Sequence, residues 1–170
     1  VSKTAAVVLA FASFLLFTAT SGAQILPRGN VYVGAVYASS EDVTLRHDFR
    51  GWNGSVEDMP FPRFSYLGLV LDGTGLYRPG DTQYNLFLGP RISTHYGKWR
   101  PFMQAMAGVQ QVPVNGIKYH PLAEDVGGGV DYRLFFKKFS WRLQVDYMHT
   151  HFLSAHQNDI RASTGLVWRF

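Results

Sequence analysis

The stretch "LGLVLDGTGLY", Leu67 to Tyr77, alternates with a period of two. One set of positions is Leu67, Leu69, Leu71, Gly73, Gly75 and Tyr77; the interleaved set is Gly68, Val70, Asp72, Thr74 and Leu76. Successive side chains of a β-strand point to opposite faces. The first set therefore forms an uncharged face that ends in a tyrosine, while the second carries Asp72 among small residues.

The same separation recurs along the chain. "YNLFLGPRIS" sets Tyr84, Leu86, Leu88 and Ile92 against Asn85, Phe87 and Arg91, and "PFMQAMAGV" sets Met103, Ala105 and Val109 against Phe102, Gln104 and Met106. "VGGGVDYRL" opposes Val130 and Tyr132 to Asp131, and "WRLQVDYMHT" opposes Trp141, Leu143, Val145 and Tyr147 to Arg142, Gln144 and Asp146. In the last segment Ile160, Leu166, Trp168 and Phe170 lie opposite Arg161, Ser163, Gly165 and Arg169. "GWNGSVED" places Trp52 and Val56 opposite Asn53, Ser55 and Glu57, whereas "NVYVGAVYA" is apolar on both sides, so its facing stays open.

These are eight candidate strands with turn chemistry between them. Three connections are short ("DMPFPR", "THYGKW", "FFKKFS"), and four are on average longer ("SSEDVTLRHDF", "RPGDTQ", "QQVPVNGIKYHP", "HFLSAHQ"). Long loops at one end and short turns at the other predict an antiparallel up-and-down meander. Pro90 removes a ladder donor inside a predicted strand, so a bulge or an early loss of pairing is expected there.

A soluble sheet would turn its apolar face to a core and cover its polar face with Lys and Glu. Here the polar face holds Gly, Ser, Thr, Asn and Gln with single charges of both signs: Asp72, Arg91, Asp131, Arg142, Asp146 and Arg161. Such a set suits a confined interior in which opposite charges compensate burial. The apolar face carries Trp52, Tyr77, Tyr84, Tyr132, Trp141 and Tyr147 at strand ends, with Leu and Val between them. Amphipathic rings at both margins of an apolar band mark the two interfaces of a membrane barrel. Charged residues make up only 16% of the chain against 15% aromatics, well below the usual charged share of a soluble domain of about 25%.

Residues 1–23 carry one lysine, an apolar run from Ala5 to Phe17 and the small-residue triplet Ser21-Gly22-Ala23. The run is shorter than a spanning helix requires, which predicts a secretory signal peptide cleaved after Ala23 and an exported domain over 24–170. The chain has no cysteine and a net charge of +4 from singly dispersed basic residues. That excludes a disulfide framework and gives no basic stripe for nucleic acid.

These segments, and above all the final "STGLVWRF", resemble the bacterial outer-membrane eight-stranded β-barrels of the OmpA/OmpX type, without a peptidoglycan-binding domain. The resemblance implies an all-β, eight-stranded antiparallel transmembrane barrel in the outer membrane, with a periplasmic N-terminus and extracellular long loops. It implies outer-membrane lipid as surroundings, the barrel-assembly machinery as partner during biogenesis, and a monomer. The family's insertion signal maps onto Ser163, Gly165, Trp168 and Phe170.

No cofactor or metal motif is present: His149 and His151 lack a third ligand at a recognisable spacing, and the glycine runs open no helix. Eight strands leave an interior just wide enough for side chains, which excludes a large pore. The expected role is structural or interactive, through loops near Asp42 to Arg50 and Gln110 to Pro121. The alternative is a lipid-modifying enzyme with a loop histidine as base, drawing on His47, His120, His149, His151 or His156.

Overall fold

The computed structural model describes residues 28–41, 46–60, 63–79, 81–114, 117–119, 121–152 and 155–170. The expected signal peptide lies outside the described residues. Among those described, nine strands and no helix form: β1 (Gly29–Glu41), β2 (Arg46–Asp58), β3 (Leu67–Arg78), β4 (Asp81–Ser93), β5 (Trp99–Val114), β6 (Ile117–Tyr119), β7 (Leu122–Arg133), β8 (Phe139–Phe152) and β9 (Ala155–Arg169). Each long strand pairs antiparallel with its neighbours, β4 pairs β5, and β9 returns to β1. The sheet is a closed eight-stranded barrel, and β6 is a short hairpin partner of the projecting end of β5.

Register fixes the shape. Following paired residues once around the wall, from Val31 through Val56, Leu71, Leu88, Ala107, Glu124, His149 and Asn158, returns to β1 at Glu41. This offset of ten residues, from 31 to 41, around eight strands corresponds to a strand tilt of about 40°, at about 3.3 Å per residue and about 4.8 Å between strands.

The exterior is apolar and the interior polar. Leu69, Leu86, Leu88, Ile92, Met103, Leu143, Val145 and Ile160 are all about half exposed or more, whereas Asp72, Arg91, Asp131, Arg142, Asp146 and Arg161 are buried. The facing left open for β1 is settled by its neighbours: Val33 and Tyr37 look outward, and Asn30, Tyr32, Val36 and Ala38 look inward. Val36 and Ala38 join Phe49 and Leu76 in one apolar cluster, and Val70, Phe87, Met106, Ala123 and Met148 form a second inside the lumen.

Two expectations need correction. Pro90 does not bulge, and the loss of pairing expected there is a local gap rather than an end: pairing of β4 with β5 runs from Leu88↔Ala107 to Arg91↔Gln104 in one register, with no partners at Gly89 and Pro90. The ladder to β3 is continuous there, so a proline on one edge costs only local pairs. The long loops are also mostly strand. β1 and β2 extend to Glu41 and from Arg46, and β8 and β9 to Phe152 and from Ala155. Antiparallel pairing propagates without apolar alternation, so hydropathy underestimates strand length beyond the apolar band.

Closure depends on a pair of glycines. Gly34 of β1 faces Gly165 of β9, and a methyl group added at Gly165 would collide with the backbone of Val33 and Gly34. A Cβ is excluded here because the clash is with main chain rather than with a side chain that can move. Gly165→Val is expected to remove most of the assembled barrel, seen as loss of the heat-modifiable band on gels run without boiling; assembly at the level of the unaltered protein would contradict this role for the seam.

Candidate functional site in the lumen and at its rims

Alternation delivers acidic and basic side chains from seven strands into one buried space. Arg161 is wholly buried at mid-height, where its guanidinium reaches Asp72 at 3.1 Å, Asp125 at 3.0 Å and Asp146 at 2.9 Å. It also donates to the Thr74 hydroxyl. Asn53 donates to both carboxylate oxygens of Asp72, at 3.0 and 2.9 Å, so the charges are hydrogen-bonded as well as paired.

A second set lies within three residues of the strand ends at the short-turn end. Arg142 grips Asp131 with two parallel bonds, Nε to Oδ1 at 2.7 Å and Nη2 to Oδ2 at 3.0 Å, and Arg169 reaches the same carboxylate at 2.8 Å. Glu57 takes Arg91 at 3.1 Å, Arg100 at 3.6 Å and the Asn30 amide at 2.6 Å. The guanidinium groups of Arg91 and Arg142 both lie over the Phe102 ring, 4.4 and 4.7 Å from its centroid, within the reach of a cation–π contact.

Gln104 joins the two levels. Its carbonyl oxygen accepts from Arg91 Nε at 2.9 Å, and its amide donates to Asp146 at 2.9 Å. The six charged residues singled out in sequence thus occupy one lumen, in two ion-paired centres rather than one. Sequence reasoning missed Glu57, Arg100 and Asp125 as members. Extending the alternation by one or two positions beyond Pro101 and Val126 would have found the last two, since Arg100 shares parity with Phe102 and Asp125 with Asp131.

The aromatic residues form two rims. Trp52, Tyr77 and Tyr84 cluster on the long-loop side: Trp52 Nε1 donates to the Tyr77 hydroxyl at 3.1 Å, and the Tyr77 and Tyr84 rings meet edge to face at 6.2 Å. Tyr147 faces outward on β8. At the short-turn end Tyr132 packs on Trp99 at 4.7 Å, Trp141 is outward, and Trp168 and Phe170 lie 5.6 Å apart. Phe170 is tied to Gly29 through both backbone groups, N to O at 3.2 Å and O from N at 3.5 Å. Ser163 and Gly165 face the lumen, and Trp168 and Phe170 face outward.

An interior of charges and an exterior of Leu, Val and Ile between two aromatic rims is the polarity of a protein whose solvent is lipid. The strands close on themselves, so no edge is left for lipid to strand. This chain has the outer-membrane eight-stranded barrel fold.

No family model and no curated protein sequence matches the chain. Solved structures do. Neisserial surface protein A aligns with a TM-score of 0.69 at 14% identity, covering 84% of this chain and 97% of its own. The N-terminal barrel domain of Pseudomonas aeruginosa OprF gives 0.58 at 15%, covering 85% and 99%, and the attachment invasion locus protein Ail of Yersinia pestis gives 0.56 at 12%, also covering 85% and 99%. The outer membrane enzyme PagL has the same fold, with a TM-score of 0.52 at 12% identity over 82% of this chain and 99% of its own.

The two histidines whose side chains are described, His95 and His149, stand toward opposite ends of the barrel. His149 sits on the outward face of β8 with Nδ1 2.7 Å from Asn158 Oδ1, whereas Thr150 and Asp159 point into the lumen. Thr150 donates to Gln110 there. The side chains of His47, His120, His151 and His156 lie outside the described residues. His95, in the short turn after β4, is held below the usual imidazole range, first by partial burial and then by the positive field of Arg100, Arg169 and Arg133. Among the described residues no group of acidic, His or Cys side chains could hold a metal ion.

Removing Arg161 would leave three carboxylates facing one another in a closed space. Arg161→Leu is expected to destabilise the refolded barrel by about 3–5 kcal/mol, the range for breaking a buried charge cluster by deleting one partner. Urea unfolding in lipid vesicles measures it, and a loss under about 1 kcal/mol would assign the cluster no more weight than a surface ion pair.

Proposed function

We propose that this protein is a monomeric barrel of the bacterial outer membrane whose work is structural or interactive and is done at its surfaces rather than through its lumen. The observation that carries this is the filled interior. Arg91, Arg142 and Arg161 are fully buried in ion pairs, and two apolar clusters share the lumen with them. A lumen so filled favours the long-loop end and the outer wall as the places where a partner would be met. The hairpin built from the end of β5 and from β6 projects from that end and is the segment we assign to external contacts. The fold likeness to Ail, an attachment invasion locus protein by name, and to a Neisserial surface protein supports a surface role.

Reconstituted into planar bilayers, the protein is expected to show no stable conductance of porin size, and a large, long-lived open state would overturn the filled-lumen reading. The second reading, modification of outer-membrane lipid, draws on the fold likeness to PagL and on the histidines of the long-loop end. Mass spectra of lipid A from cells with and without the protein are expected to be the same; a lost or added acyl chain would favour the enzyme.

Assembly is proposed to use the last strand as its address. Deleting Phe170 is expected to reduce assembled protein in the outer membrane several-fold while leaving export unchanged, read by fractionation and by protease shaving of whole cells. Undiminished surface levels would remove Phe170 from that role.

A further inference from the structure

The outer wall is not uniformly covered. On the long-loop side, a groove of about 450 Å³ crosses β1 between β2 and β9. Its floor is small, formed by the side chains of Ala35 on β1 and of Ala162 and Thr164 on β9, with Tyr37 and Arg50 at one end. Trp52 stands beside Ala35 in register on the next strand. Much of the outer wall elsewhere carries Leu, Val, Met and Ile, and of its small-residue stretches this one opens a groove directly below an outward-facing cation.

Arg50 is the second observation. Sequence reasoning placed it in a long loop, but it lies in β2 on the outward face, exposed, between Tyr37 and Tyr77 of the upper aromatic rim. Among the described residues no hydrogen bond or ion pair holds its side chain, in contrast to the paired arginines of the lumen. A guanidinium group at the headgroup level is tolerated, at about 0–1 kcal/mol near the interface. It offers a forked donor set suited to phosphate.

The two features are ordered along the wall. From Arg50 and Tyr37, β1 descends through Ala35 and β9 through Ala162 and Thr164 toward the middle of the apolar band. The cation therefore sits at the interface and the groove runs inward from it, which is the layout of a phosphorylated headgroup with an attached acyl chain. A peptide would leave backbone groups unpaired in lipid. A second barrel docked here would bury Arg50 without a partner. In the outer membrane, the leaflet at the long-loop end is built of lipid A, whose phosphates match the charge.

We propose that this groove is a binding site for one lipid A molecule, with a phosphate on Arg50 and an acyl chain over Ala35, Ala162 and Thr164. The site is one of residence rather than reaction. The Thr164 hydroxyl donates to the Arg142 carbonyl oxygen at 3.1 Å, and Ser163 faces the lumen, so no free nucleophile lines the groove. The proposal rests on the barrel standing in the outer membrane with its long-loop end outward, and it is independent of what the hairpins contact.

The test is native mass spectrometry of barrels released from phosphatidylcholine nanodiscs doped with bis-phosphorylated lipid A. One retained lipid A per barrel is expected. Arg50→Gln, on the exterior and away from every ion pair, is expected to reduce retention about tenfold, as loss of a charge-assisted phosphate contact would. Ala162→Leu, which fills the groove, should do the same, whereas Ala105→Leu on the outward face of β5 should leave retention unchanged. Heat-modifiable migration verifies that each variant is assembled. The proposal is overturned if Arg50→Gln retains lipid A normally, if lipid A stripped of its phosphates is held as well, if phosphatidylglycerol at equal concentration displaces it, or if the barrels emerge as dimers.

Discussion

In hydrocarbon, a backbone N–H or C=O without a partner costs several kcal/mol, and the pairing of β9 with β1 is what removes the last two open edges of this sheet. Everything else in the structure is conditioned by that seam. It fixes the offset of ten residues between Val31 and Glu41, and with it the tilt and the width of the lumen. The width in turn decides which side chains can meet across it. Gly34 and Gly165 face each other at the seam because no Cβ fits between the two backbones there.

Closure turns burial inside out. A soluble domain hides apolar side chains and shows charges to water; this barrel shows Leu and Val to lipid and confines its charges, where only pairing makes them tolerable. The distribution within the lumen is uneven. Arg161 faces three carboxylates at mid-height, whereas Glu57 and Asp131 face Arg91, Arg100, Arg142 and Arg169 nearer the short-turn end. Acid exceeds base in one centre, and base exceeds acid in the other. Gln104, bonded to Arg91 and Asp146, is the neutral group between them. The lumen is thus a cross-linked polar plug, which explains how eight strands hold a fixed shape without an apolar core of the ordinary kind.

Much of this was legible in the chain because the side-chain period of a strand is two and lipid punishes a register slip. The stretch from Leu67 to Tyr77 already separates Asp72 from Leu69 and Leu71, and the same rule places Arg91, Arg142 and Arg161 on one surface. Where the rule had nothing to act on, it failed. β1 is apolar on both sides, so only its neighbours could orient Val36 inward onto Phe49 and Leu76. The hairpin ends lack alternation, so hydropathy reads them as loops although their backbones continue to pair. Arg50 lies one position before the alternating stretch that begins at Gly51; its parity with Trp52 signals the outward face, while its place beside Tyr37 depends on the pairing of β1 with β2.

The sequence by itself determined the strands, their facing from β2 onward and the inverted polarity, because these follow from local alternation and from the cost of placing a charge in lipid. The tertiary structure decided which charges pair, that they form two centres joined by Gln104, and that small residues of β1 and β9 coincide beneath Arg50. Those facts depend on the shear of the closed barrel, which brings residues such as Asp72 and Arg161 together across 89 positions of chain. Closure is a property of all eight strands at once, and no local stretch of sequence carries it.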